Sequence, residues 1–353
     1  MKVAARRTKR PPPLPEVEAA RTLVLFNNKG GVGKTTLTFN LAHMFARQGR
    51  RVALIDYDPQ CNLTALALPE SELVSLWDAP GPGGTVATCV ERVRSGKGDL
   101  HEPTLHELAD NLYLLPGDLR LSRFESKLAR EWPQIFAQDA ESAIHVTTTL
   151  DRLASRVAEV ASAELVMFDA GPSLGPLNRS VLLAADAVVI PLAPDLFSLR
   201  GLQNVGEALT EWRDEWASAR IKILQRAQRS RDAAPFLPEH PIEPIGYIVQ
   251  QHIVYGEDPI RAYQKWLTKI PHSFAKDILR ASTECDDVRL DEWCLGLLRH
   301  FASLVPLAQA AHKPLFDLKH ADGVLGSQFQ TVARATTAFE ALAIAIGARL
   351  DAL

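Results

Sequence analysis

Short runs of consecutive apolar residues recur along the chain, at Leu23 to Phe26, Val52 to Ile55, Leu112 to Leu115, Leu165 to Phe168, Ala187 to Ile190 and Ile245 to Val249. They are unbroken rather than alternating, and Gly, Pro, Asp or Asn bounds them. This is the pattern of strands in a parallel sheet covered on both faces. Between them the period lengthens to that of a helix. Directly after the first run, Leu37, Leu41, Met44 and Phe45 share one helical face, so a strand, a glycine loop and a helix follow one another. The alternation predicts a doubly wound, mostly parallel α/β sheet flanked by helices.

Length alone permits one big domain or two of ordinary size, and one enlarged domain is expected. The chain has 353 residues, 46% of them hydrophobic, enough for a large core over 21–353. Residues 1–20 carry Arg6, Arg7, Lys9 and Arg10 and then Pro11, Pro12 and Pro13, without apolar periodicity. They read as a flexible basic, proline-rich tail, and the prolines stand where a signal peptide needs its apolar stretch. Two stretches exceed a minimal domain. Residues 120–163 are mostly helical in pattern, with Leu150, Leu153, Val157 and Val160 on one face, and residues 250–300 mix tryptophans, charges and Pro271. Both read as helical additions that cover the sheet or offer partner surfaces. The last helix sets Phe339, Leu342, Ile346 and Leu350 along one stripe; with Arg349 the only basic residue between Phe339 and Leu350, it suits docking on the sheet better than a membrane surface.

Charge and cysteines narrow the function classes. A net charge of −3 gives no global attraction to nucleic acid, so such contact needs a local patch. Arg213, Arg220, Lys222, Arg226, Arg229 and Arg231 form one candidate, with a solvated helix face as the alternative. Cys61, Cys89, Cys285 and Cys294 make no CxxC pair, against a zinc site or a disulfide framework, and a reducing cytoplasm is expected. The longest apolar run, Val181 to Leu192, is interrupted by Asp186 and falls short of the roughly 18 residues of a membrane span, so no membrane is expected.

The segment Asn27-Asn28-Lys29-Gly30-Gly31-Val32-Gly33-Lys34-Thr35-Thr36 lies between the first strand and its helix, the context that gives a GxxxxGKT-like match its meaning. Its glycines let the backbone curl with N–H groups inward, close to phosphate oxygens, and the helix starting near Lys34 adds the positive end of its dipole. Lys34 is expected on the β and γ phosphates, Thr35 on Mg²⁺ through its hydroxyl, and Thr36 on the α phosphate. Lys29 replaces the first glycine of a standard loop. Two strands then end in acids, Asp56 with Asp58 two residues on, and Asp169 before Ala170-Gly171-Pro172. Ligands gather at the carboxyl ends of such strands, so Asp56 and Asp58 are expected to face the phosphates, and Asp169, at its own strand end, can hold a magnesium-bound water.

With Lys29 in place, KGGVGKTT resembles the deviant Walker A loop of the ParA and MinD family of partition and positioning ATPases. The resemblance covers roughly residues 22–250. It implies that Lys29 crosses a nucleotide-sandwich dimer to the partner's phosphates. Asp56-Tyr57-Asp58-Pro59-Gln60-Cys61-Asn62 resembles the family's first switch, with Cys61 where glycine is usual. By that likeness Asp58 positions or activates the attacking water and Asp56 supports the Mg²⁺ water shell. Asp169 takes the Walker B position, and Gln250 stands where the family usually has an asparagine near the adenine. The functions implied are ATP hydrolysis with Mg²⁺ and an ATP-dependent homodimer, with nonspecific DNA and an activating adaptor protein as candidate partners. A MinD-like membrane-surface switch, a metabolic enzyme on the same fold and a regulatory or antiphage ATPase with a dedicated partner are the alternatives.

Overall fold

All six apolar runs fall on strands of one eight-stranded sheet, the first running one residue past its strand to Phe26. The computed structural model describes residues 19–137, 139–230, 237–238, 242–251, 266–280, 290–299, 301 and 303–353. The strands are β1 Arg21–Leu25, β2 Val52–Asp56, β3 His106–Ala109, β4 Leu112–Leu115, β5 Leu165–Asp169, β6 Ala187–Leu192, β7 Glu243–Gln251 and β8 Cys294–Arg299, in the spatial order β3-β4-β2-β5-β1-β6-β7-β8. Every pairing is parallel except the β3–β4 hairpin at one edge. From β1 the chain moves to one side for β2 and later to the other for β6, which makes the carboxyl end of β1 a switch point where a ligand crevice opens.

The central strands are buried on both faces because each face has its own helical layer. Val24, Ile55, Val166 and Val188 point into one core, and Leu23, Leu54, Met167 and Val189 into the other. The helices are α1 Lys34–Arg47, α2 Asn62–Ala67, α3 Glu70–Asp78, α4 Val86–Cys89, α5 Glu91–Ser95, α6 Ser122–Glu131, α7 Glu141–Thr147, α8 Thr149–Ala161, α9 Pro176–Ala184, α10 Leu196–Ser230, α11 Ile270–Ser273, α12 Val305–Ala311 and α13 Gln328–Leu350. Residues of α6, α8, α9 and the first half of α10 fill the first core, and those of α1, α2 and α13 the second. On α13 the stripe Phe339, Leu342, Ile346 and Leu350 is at most 2% exposed, so it docks as expected, each side chain contributing about 1.5–3 kcal/mol by burial.

Three expectations change. Val160 is 45% exposed, whereas Leu150, Leu153 and Val157 are buried. The buried stripe of α8 continues through Ala161, and Val160 sits about 100° round the helix from it. Residues 250–300 are not only helical, because β8 extends the sheet by pairing with β7. The helical part there, Ile270–Ile278, comes so close to α10 that a Cβ on Gly206 would lie 1.9 Å from the Asp277 carbonyl oxygen. Finally, among the described basic residues of α10, Arg213 and Arg226 are turned partly inward while Lys222 stays exposed. The α10 half beyond Trp212 packs on α7 through Trp216 and Ile223, and Arg226 donates to the carbonyls of Phe136 and Ala137. Arg213 is half-buried and Lys222 lies 5.3 Å over the Phe136 ring. The N-terminal tail through residue 18, Arg231, Cys285 and the side chain of Arg229 lie outside the described residues.

Candidate functional site

The loop after β1 is held open by its own backbone and by buried polar struts. Gly31 and Gly33 adopt φ values of 73° and 70°, the left-handed region that side chains disfavour, and Gly33 caps α1. A Cβ on Gly30 or Gly31 would meet nothing within 4 Å, so the cradle beside them is clear. Asn27, fully buried, fixes the entrance: its amide donates to the Pro191 carbonyl at 2.8 Å and its Oδ1 accepts from the Lys29 N–H at 2.9 Å. The Lys34 ammonium folds back under the loop, donating to the carbonyls of Asn27 at 2.9 Å and Lys29 at 3.2 Å. Burial lowers its pKa while Asp169 and Asp58 pull the other way.

The two acid-ended strands are neighbours in register. Asp56 and Asp169 are Cα partners across the β2–β5 pair, and strand alternation turns both toward the face covered by α1. They are not equivalent. Asp56 accepts from the Thr64 N–H at 2.8 Å and the Thr64 hydroxyl at 2.6 Å, and that hydroxyl accepts in turn from Gly117 N. Asp56 thus braces the first turn of α2, and burial pushes its pKa to about 7 against those hydrogen bonds. Both Asp169 oxygens are buried with no hydrogen-bond partner. Burial and then the neighbouring Asp56 raise its pKa, while the nearby Thr35 hydroxyl and Lys34 oppose them. A buried, unpaired carboxyl beside a threonine hydroxyl and a lysine fits a bound cation and its water. Among the described residues no three His, Cys, Asp or Glu side chains cluster closely enough to hold a metal by themselves. Mg²⁺ there needs phosphate oxygens as well, which is its usual habit.

Gly30, Gly31, Gly33, Lys34, Thr35 and Thr36 line one wall of a cavity of about 510 Å³, and Asp58, Gln60, Ala170 and Pro172 line another. The structure therefore brings the expected loop residues together with Asp58. Val32 turns inward at 1% exposure and is not among the residues that line the cavity. Asp58 accepts from Gln60 N at 2.9 Å, and a Cβ on Gly171 would lie 3.3 Å from its Oδ1, so both acid loops abut at this carboxylate. Gln250 does not line the cavity. Its amide is packed against Gly33, where a Cβ would lie 2.6 Å from Nε2, so it supports the loop from beneath.

Lys29 stands at the rim, 27% exposed, ion-paired to Asp195 of its own chain and 5.9 Å from the Phe197 ring. Phe197 is 74% exposed. Four contributors carry no local sequence signal: Asp195, Thr64, Asn27 as a strut, and Gln309, which reaches the cavity from α12. Only Asn27 stood in a motif, and its burial between β1 and β6 is a product of the sheet order.

Comparison with known proteins agrees with this geometry. A family model described as an AAA domain matches residues 20–223. An uncharacterized protein of Mycobacterium tuberculosis is 33% identical over 196 residues, 55% of this chain and 54% of that protein, so the chain spans about half the length of such relatives. The chromosome-partitioning ATPase Soj of Thermus thermophilus is 32% identical over 211 residues, 58% of this chain and 67% of Soj. A solved Corynebacterium diphtheriae protein superposes with a TM-score of 0.67 at 27% identity, covering 83% of this chain and 97% of the other.

Proposed function

The chain belongs to the AAA-domain family, among its ParA-like members with a deviant Walker A loop, and from that premise we propose that it is an Mg²⁺-dependent ATP hydrolase whose turnover switches a homodimer. The observation that carries the reading is the single cavity in which Lys34, Thr35 and Asp58 converge, with Lys29 on its rim. Lys34 and the loop N–H groups hold the β and γ phosphates. Thr35 and Asp169 would hold Mg²⁺, which when bound offsets phosphate charge. Asp58 orients the attacking water and takes up its proton. Lys29, swung off Asp195, places its ammonium on a second subunit's phosphates, much as an arginine finger does. The apolar rim residue Phe197 suits the same face-to-face contact.

The proposed setting is cytoplasmic partition or cargo positioning with an activating adaptor protein, in line with Soj. On α10, Arg226 is engaged with the Phe136 and Ala137 carbonyls while Lys222 is exposed, so nonspecific DNA contact through that stretch would rest on Lys222 and its exposed neighbours rather than on Arg226. Among the described residues only Gln328–Leu350 is long and apolar enough to cross a bilayer. Its stripe is buried against α1 and the sheet, so the membrane-surface alternative gains no support.

The test is a pair of variants. Asp58→Ala is expected to bind ATP and dimerise while hydrolysing it at least about 100-fold more slowly, and Lys29→Ala to bind ATP with near-normal affinity but turn over poorly. Wild-type turnover in the Asp58 variant, followed by phosphate release, removes the assignment.

A further inference from the structure

On the layer opposite α1, a cavity of about 320 Å³ opens between α9 and α10, within the usual size of small-ligand pockets. Leu182, Leu183, Leu209, Trp212, Trp216 and Ile242 make its wall mostly apolar. Into this wall comes Arg213, whose Nε and Nη2 are buried with no hydrogen-bond partner. Burial lowers its pKa, and Glu243 opposes this through space without an ion pair. An orphaned guanidinium edge among tryptophans and leucines is costly and uncommon. The neighbouring Arg179 shows how this wall satisfies an arginine otherwise: it lies 4.5 Å over Trp132 and 4.9 Å over Trp212 and pairs with Glu215 at 3.3 Å. Asp214 at the rim is exposed, and Arg220 adds positive charge to the same wall.

We propose that this cavity binds a small amphipathic carboxylate, with Arg213 as its anion partner and the tryptophan–leucine wall around its apolar body. The two vacant donors, Nε and Nη2, form one edge of the guanidinium, the fork that a carboxylate accepts from bidentately. A phosphate dianion would need more donors than that edge offers, and a neutral apolar ligand would leave the edge unpaired. The site lies apart from the phosphate loop and is independent of the nucleotide reading.

Trp212 and Trp216 serve as reporters. Decanoate, below its micelle concentration, is expected to change tryptophan fluorescence saturably, and to bind about tenfold or more tightly than decanol. Arg213→Met keeps the length and apolar stem and is expected to abolish that preference. Leu209→Trp fills the cavity without touching the cation and is expected to abolish binding of both. Absence of saturable decanoate binding to the wild-type chain, equal affinity for decanol, or undiminished decanoate binding in folded Leu209→Trp each overturns the proposal, whether or not Arg213→Met folds.

Discussion

Replacing Asp195 by Asn removes the carboxylate that holds Lys29 on its own subunit, while leaving an amide oxygen to accept from the Ser198 N–H. The two side chains are 27% and 38% exposed, so solvent screens the pair and it is worth about 0.2–1 kcal/mol rather than the value of a buried one. The contact with Phe197 survives the substitution and drops out of the comparison. A sandwich dimer that takes both lysines across the interface breaks two such pairs, costing about 0.4–2 kcal/mol, so Asp195→Asn should tighten dimerisation about twofold to thirtyfold. The assay is sedimentation velocity over a concentration series with ATP, in an Asp58→Ala background so that the nucleotide persists. A dimer constant that stays the same or weakens refutes the idea that Asp195 restrains Lys29. The pH dependence is a second check. Burial works to raise the Asp195 carboxyl, but Lys29 and the Ser198 N–H outweigh it and hold the pKa below its usual value. A depressed carboxyl contributes above its unfolded pKa of about 4 and is lost only as pH falls through the folded value. The gap between variant and wild type should therefore be flat from pH 6.5 to 8.

Lys34→Ala is expected to abolish calorimetric binding of a nonhydrolysable ATP analogue; it also strands the Asn27 and Lys29 carbonyls, at about 1–3 kcal/mol of stability. Retained affinity would show that the ammonium is not the phosphate clamp. At Cys61, φ is 56°, so alanine keeps the left-handed strain of about 1–2 kcal/mol while glycine removes it for about 0.5–1 kcal/mol of chain entropy. Cys61→Gly should thus match or exceed Cys61→Ala in urea midpoint, the reverse of the ordinary core order, and a clearly more stable alanine variant would count against that loop geometry. Burial, and then Asp186, push the Asp151 carboxyl up to about 7. A raised carboxyl means the folded chain holds a proton the unfolded chain has lost, so stability falls as pH rises from about 4 to 7. Asp151→Asn should gain at least about 1 kcal/mol over wild type at pH 8 and nothing near pH 4 by urea denaturation; equal curves at both pH values would refute this.

The legible parts of the chain were those whose partners are close in sequence. Lys29 through Thr36 form one loop, and each acid caps its own strand, so spacing alone announced them. Central strands such as β5 are buried throughout and show as apolar runs. The edge strands β3 and β8 are only partly buried; HELA is short and half polar, and CLGLLR is interrupted by Gly296 and ends in Arg299, so neither shows the unbroken apolar run of a central strand. The Lys29–Asp195 pair joins residues 166 apart, and Gln309 arrives from α12, so neither has a local signature. The engagement of Arg226 in the arginine-rich stretch was hidden for a related reason. Helical spacing tells which residues share a side of α10, but not that the turn before α7 would reach Arg226.

The side-by-side placement of Asp56 and Asp169 also governs where this chain tolerates added or lost residues. One extra residue inside β2 or β5 would rotate its terminal acid through the sheet, away from α1, and a single-codon insertion there should be as damaging as losing the acid itself. Lengthening the connection between β4 and β5, which already holds three helices, leaves that alignment untouched. Variation in length among kindred chains should accordingly gather in such connections and spare the short strands beside them.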